Sequence, residues 1–325
     1  MNEPKAGVGL DAVQKTAKKI NANIGKVLVG KEAAVELVLI ALGCEGHLLI
    51  EDAPGTGKTM LARALAISLG LSFNRIQCTP DLLPSDITGM MVYNPKTAEF
   101  KFRPGPVMAN IVLVDEINRA TPRTQSSLLE AMEERQVTID SETRQLPRPF
   151  LVLATENPVE FEGTFPLPEA QLDRFFLRLS LGYPSPAEEV EILARLEEDH
   201  PINSIGAVVT PDEIKALIQA RRRIYVEESL RGYLVEIVTK TRCHPCLELG
   251  ASPRGAISLF NASRMLAMLR GREYVIPDDI KYLAPYILGH RVITAPEATV
   301  RGVNGIAVIR EIIDGTAAPT EVTLI

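Results

Sequence analysis

The stretch Leu48-Leu49-Ile50-Glu51-Asp52-Ala53-Pro54-Gly55-Thr56-Gly57-Lys58-Thr59 can hold phosphate. An apolar run, readable as a buried strand, turns through a Gly-rich loop into the amphipathic run Met60 to Leu69. In a strand–loop–helix of this kind the glycines let backbone N–H groups close on phosphate oxygens. The helix N-terminus adds its positive dipole end. Lys58 reaches for the β- and γ-phosphates, and Thr59 can ligate Mg²⁺. Ala53, Pro54, Gly55, Thr56, Gly57 and Met60 complete the cradle. The general pattern has Gly five residues before Gly57, where this chain has Asp52. The motif implies a nucleotide triphosphatase or a nucleotide switch.

A second constellation lies further along. Ile111-Val112-Leu113-Val114 is apolar and ends in Asp115-Glu116, 57 residues after Lys58. In a phosphate-loop protein the first carboxylate holds Mg²⁺ and the second polarises the attacking water. Ala154-Thr155-Glu156-Asn157-Pro158 ends another apolar run, and Asn157 there can orient water against a γ-phosphate. Arg174, in Gln171-Leu172-Asp173-Arg174-Phe175-Phe176, precedes a further strand. Arg254, in Ser252-Pro253-Arg254, opens a helix, where the helix dipole disfavours a cation. Two arginines with no partner nearby in the chain suit stabilisation of γ-phosphate charge.

The elements that must position these residues alternate. Amphipathic runs at 11–24 and 31–42 read as helices. Strands are expected at 46–51, 72–77, 110–114, 150–155 and 176–181, with helices at 58–69 and 122–134. Short apolar strands between helices indicate a parallel sheet covered on both faces. Two alternation–turn–alternation segments, Met90–Val107 and Gln136–Pro147, read as β-hairpins. After Tyr183-Pro184-Ser185-Pro186 the strands disappear. Helices are expected at 187–198, 211–226, 228–242, 253–270, 277–290 and 300–314, with Thr210-Pro211-Asp212-Glu213 as a capping box.

Composition is that of an ordinary globular protein: 325 residues, 46% hydrophobic, 23% charged, net charge −6. The acidic balance argues against nucleic acid as a partner. Arg221-Arg222-Arg223 reads as a solvated helix face. Four scattered cysteines form no disulfide framework, and Cys243-His244-Pro245-Cys246 lacks a second ligand pair. This usage fits a reducing cytoplasm. No apolar leader follows Met1, and the run Val35 to Cys44 is too short to span a bilayer.

In order and in detail these segments resemble an AAA+ ATPase, and more narrowly the MoxR family. The resemblance rests on Thr79-Pro80-Asp81-Leu82-Leu83-Pro84-Ser85-Asp86-Ile87-Thr88-Gly89, Asp115-Glu116-Ile117-Asn118-Arg119-Ala120 and Leu128-Leu129-Glu130-Ala131-Met132-Glu133-Glu134-Arg135-Gln136-Val137. It rests also on the Asn157, Arg174 and Arg254 segments, and covers essentially the whole chain. It implies an α/β P-loop AAA+ parallel-sheet domain with β-hairpin insertions (1–185), followed by an all-α lid (186–325). Lys58 and Thr59 would belong to Walker A, Asp115 and Glu116 to Walker B. Asn157 would be sensor 1, Arg174 an arginine finger given across a subunit interface, and Arg254 sensor 2. Val29, Gly30 and Lys31 would line the adenine pocket. The resemblance further implies ATP and Mg²⁺, a homo-oligomeric, hexameric ring, protein clients and a von Willebrand factor A-domain partner. No extra domain is expected after the last helix. The competing readings are a DNA-translocating motor similar to the MCM helicases and a magnesium-chelatase-like motor subunit. Lys96, Lys101 and Arg103 against Glu99, and Arg144 against Asp140 and Glu142, do not make strongly basic DNA fingers.

Overall fold

Five short apolar runs lie side by side in one parallel sheet, and their two-residue period sorts the core into two halves. The computed structural model describes residues 10–140, 142–157, 163–197 and 199–319. Met1–Lys5, Ser141, Pro158 and Glu198, used in the sequence reading, lie outside them.

In chain order the described elements are α1 (Leu10–Gly25), α2 (Glu32–Gly43), β1 (Leu48–Glu51), α3 (Lys58–Leu69), β2 (Phe73–Gln77), α4 (Pro84–Thr88), β3 (Gly89–Asn94), β4 (Glu99–Pro104), β5 (Ile111–Asp115), α5 (Pro122–Glu134), β6 (Gln136–Ile139), β7 (Glu142–Gln145), β8 (Leu151–Glu156), α6 (Glu169–Leu172) and β9 (Leu177–Leu179). Then follow α7 (Pro186–Arg195), α8 (Pro211–Ala220), α9 (Glu228–Thr241), β10 (Leu247–Leu249), α10 (Pro253–Leu269), α11 (Pro277–Leu288), β11 (Ile293–Thr294), α12 (Pro296–Val300) and α13 (Gly305–Asp314).

The sheet order is β2-β5-β8-β1-β9, and every pairing is parallel. Successive strand side chains point to opposite faces. Leu48, Ile50, Ile111, Leu113, Leu151 and Leu153 therefore enter one core. Leu49, Val112, Val114, Val152 and Ala154 enter the other. The first core continues through α1, α2 and α3 into α9, α10, α11 and α13 without a break. The second packs the opposite face against α5 and its hairpin, through Leu128, Leu129, Met132 and Val137.

Both hairpins form, β3 with β4 and β6 with β7. The Arg144 guanidinium lies 4.2 Å over the Phe102 ring and joins them. Tyr93 and Phe100 pair at 5.3 Å on the exposed face of the first. The capping box at α8 is present: Thr210 N–H donates to Glu213 at 2.7 Å, and Glu213 N–H to Thr210 Oγ1 at 3.3 Å.

Three expectations are corrected. The helical half is not free of strands, because β10 and β11 pair antiparallel. The helix expected over 211–226 ends at Ala220, and Arg221–Arg223 form a separate 3₁₀ turn in which Arg221 reaches back to Gly43 O at 3.2 Å. The helix expected over 300–314 is two helices, broken at Gly302 in the left-handed region (φ 77°). Among the described residues no helix is long and apolar enough to cross a membrane.

Candidate functional site

The loop after β1 closes through Gly55 (φ 84°) and Gly57 (φ 93°), both in the left-handed region that side chains avoid. This turn sets Lys58 at the first position of α3. Lys58 Nζ donates to Asp52 O and Ala53 O, each at 2.8 Å, so the ammonium lies over its own loop. Partial burial lowers its pKa, against the opposing charges of Asp52, Asp115 and Glu116. Thr56 Oγ1 donates to Ala53 O at 3.3 Å. Gly55 faces two cavities. One is apolar, walled by Leu28, Val29, Met60, Pro184 and Ile192, with Lys31 at its edge. The other is polar and holds Lys58, Thr59, Asp115, Glu116 and Asn157, with Pro54 at its rim. Gly30 lines neither; it makes the left-handed turn (φ 67°) between Val29 and Lys31.

The strand ends bring the acids to this polar cavity. Asp115 ends β5, and Glu116 takes the left-handed conformation (φ 57°), a strained state for a non-glycine residue and one that gathers at working sites. Its N–H donates to Thr155 Oγ1 on neighbouring β8 at 2.9 Å. Its carboxylate Oε2 accepts from Gln77 Nε2 at 3.1 Å and pairs with Arg119 at 3.2 Å. Asp115 Oδ2 pairs with Arg75 Nε at 2.5 Å. The Thr59 hydroxyl and the Asp115 carboxylate share the cavity with Glu116, a set of hard oxygen donors that fits Mg²⁺. Asn157 follows β8 and is buried against the same space.

Asp52, at the position of the missing glycine, has a specific use. Its carboxylate accepts from Ser180 Oγ (2.7 Å), Leu181 N–H (2.5 Å) and Gly182 N–H (3.1 Å). Lys31 Nζ donates to Leu181 O (2.8 Å), Gly182 O (3.3 Å) and Tyr183 O (3.4 Å). The segment leaving the sheet is thus held on its donors by the phosphate loop and on its carbonyls by the start of α2.

Arg174 and Arg254 do not join Lys58. They line a third cavity with Glu133, Asp173 and Arg291. Arg254 Nη2 donates to Glu133 Oε1 at 2.6 Å, and Arg174 Nε lies 3.3 Å from Glu133 Oε2. The anion that offsets the helix dipole at Arg254 is therefore a carboxylate of α5. The expectation that neither arginine has a partner nearby in the chain holds; in space both meet the distant Glu133.

A family model for the ATPase family associated with various cellular activities (AAA) matches residues 47–177, and one for the AAA lid domain matches 239–312. Chaperone MoxR1 of Mycobacterium tuberculosis is 39% identical, over 97% of this chain and 86% of its own. Protein YeaC of Bacillus subtilis is 53% identical, over 92% and 93%. A crystal structure from Cytophaga hutchinsonii superposes with a TM-score of 0.90 at 38% identity, covering 96% of this chain and 97% of that one. The chain belongs to the MoxR family of AAA+ ATPases. It is a nucleotide-binding enzyme that hydrolyses ATP.

Several polar groups at the site of this MoxR-family ATPase have no role in the sequence reading. Gln77 carries a usable signal: it ends β2 in register with Asp115. Arg75, two residues earlier, shares its face. Glu156 also lines the polar cavity. Burial, with the Glu51 carboxylate beside it, raises its pKa to about 7, while Arg178 opposes this. Its signal was position alone, at the end of the strand that delivers Asn157. Glu133 gave none, since its partners lie far away in the chain, and Asp52 showed only as a departure from the glycine pattern.

Proposed function

We propose that this ATPase remodels or matures protein clients as a homo-oligomeric, hexameric ring, in the cytoplasm and together with a von Willebrand factor A-domain partner. Residues 1–185 would form the nucleotide-binding unit and 186–325 the helical lid. The observation that carries the reading is the meeting of Lys58, Thr59, Asp115 and Glu116 in one cavity beside an apolar one. Adenine would occupy the apolar cavity between Val29 and Met60, and the phosphates would lie across Gly55 to Lys58. Mg²⁺ held by Thr59 and Asp115 would neutralise phosphate charge. Glu116 would take the proton of the attacking water, and Asn157 would orient that water.

Arg174 and Arg254 face a cavity that contains none of these groups. That placement favours a shared role in trans, at the nucleotide of a neighbouring subunit. The first hairpin exposes the Tyr93–Phe100 pair rather than a dense basic surface, which favours protein clients over DNA.

The test mixes Glu116→Gln and Arg174→Ala subunits. Each variant alone loses turnover, by about 10²–10⁴-fold for the base. Mixed rings should regain part of it, because some interfaces then carry both intact groups. No regain, with subunits shown to exchange, would refute the trans assignment. Stimulation of turnover by an A-domain protein but not by DNA would support the client reading.

A further inference from the structure

We propose that Glu133 is the positioning residue for both trans-acting arginines: its carboxylate takes one nitrogen from each guanidinium and presents their remaining N–H edges, as one unit, to the phosphates of the neighbouring subunit. This rests on the trans reading above.

The geometry divides the carboxylate cleanly. Oε1 receives Arg254 through Nη2, and Oε2 faces Arg174 through Nε. Bound through Nε, Arg174 keeps its terminal Nη pair, the edge that meets a phosphate in two parallel hydrogen bonds. The backbones on either side are tied as well. Ser252 Oγ, two residues before Arg254, donates to Asp173 at 3.0 Å, and Asp173 directly precedes Arg174. Arg291 Nε closes on the same Asp173 at 2.9 Å from a nearly buried position. Three elements, α5, α10 and the turn before β9, are thereby fastened around two side chains that stay partly exposed, at 34% and 54%.

Charge agrees with this role. Arg174, Arg254 and Arg291 face Glu133 and Asp173, so the cluster keeps an excess positive charge. Hydrogen bonding to Arg254, and the two guanidinium charges, hold the Glu133 carboxyl below the usual range, so it is an anion at neutral pH. An isolated surface ion pair contributes little. One carboxylate shared by two arginines from different elements restricts both, and a fork ordered beforehand loses less freedom on meeting its anion.

The experiment is steady-state ATPase kinetics on the assembled full chain, with ring mass in ATP checked for each variant. Glu133→Gln should lower kcat by about 10²-fold, the scale of a small misplacement of a catalytic group. KM should stay within about twofold. Glu133→Asp, which keeps the anion, should fall between Gln and wild type. In an Arg174→Ala/Arg254→Ala background, Glu133→Gln should cause no further loss. Mixed with Glu116→Gln subunits, Glu133→Gln subunits should regain turnover as Arg174→Ala subunits do. If Arg174→Ala loses turnover while Glu133→Gln keeps it, the positioning role is wrong and the trans reading stands. If Glu133→Gln adds its full loss to the double-arginine variant, it acts elsewhere and the proposal fails. If the double-arginine variant keeps wild-type turnover, the trans reading and the role of Glu133 fall together.

Discussion

Gln77 donates to Glu116 across the β2–β5 pair at 3.1 Å, so the carboxylate beside the phosphate cavity is held from a strand that contributes no other hydrogen bond to it. Arg119 shares the same oxygen, Oε2. Under the role proposed for Glu116, the second oxygen, Oε1, would be the one to meet the attacking water.

Removing that hold should loosen the base without touching the nucleotide. Gln77→Leu should lower kcat by about tenfold, less than the roughly 10²–10⁴-fold of losing a general base outright, with KM little changed. Steady-state kinetics at saturating ATP read this directly. A KM that rises while kcat stays put would show that Gln77 serves binding instead.

Asp52→Ala should weaken both fold and nucleotide binding. It leaves the Leu181 and Gly182 N–H groups without their acceptor, at a cost of about 1–3 kcal/mol. The loop that carries Lys58 loses its anchor at the same time. Denaturant titration and a nucleotide-binding assay should move together. Weaker folding with unchanged nucleotide affinity would mean that the anchor does not reach the loop.

Arg291→Met should be among the most damaging single changes. Arg291 donates to Phe175 O at 2.6 Å and Phe176 O at 3.1 Å besides pairing with Asp173. Burial lowers its pKa only to about 10, so it stays charged at neutral pH. Removing one partner of a buried pair costs about 3–5 kcal/mol. A loss below about 1 kcal/mol in chemical denaturation would contradict this account.

His47 sets an acid limit. Nδ1 accepts from Val152 N–H at 3.0 Å, so the proton sits on Nε2, which donates to Met132 O at 2.9 Å. Burial lowers its pKa to about 4 from 6.5. As pH falls from about 6.5 towards 4 the unfolded chain takes up this proton and the folded one does not, so stability falls across that window. His290, also pushed down by burial, acts in the same direction. His47→Gln should therefore lessen, not abolish, the loss of stability between pH 7 and 4.5. An unchanged slope in denaturation midpoints would exclude His47 as its source.

Much of this site is legible in the sequence because its parts are local. A glycine turn, a lysine and a hydroxyl lie consecutively, and two acids end an apolar run that has only one way to sit in a parallel sheet. The ends of the helical elements are less legible. Arg221–Arg223 leaves the helical path to reach Gly43 O, a contact made in tertiary packing. Glu133 reads as one more acid on an amphipathic helix. Only the fold brings it to two arginines from other elements, so no spacing rule could find it.

The first core runs unbroken from one face of the sheet through α1–α3 into α9, α10, α11 and α13. The helical half is therefore not a module that could be cut away or swapped, because doing so would bare the apolar sides of α1 and α2 on which α8 and α10 pack, together with the edge strand β9 under α11. Close-packed interiors yield poorly to gradual deformation. In the ring proposed above, work drawn from ATP would then be delivered at the borders with other subunits, where packing is renewable, rather than by bending within the chain.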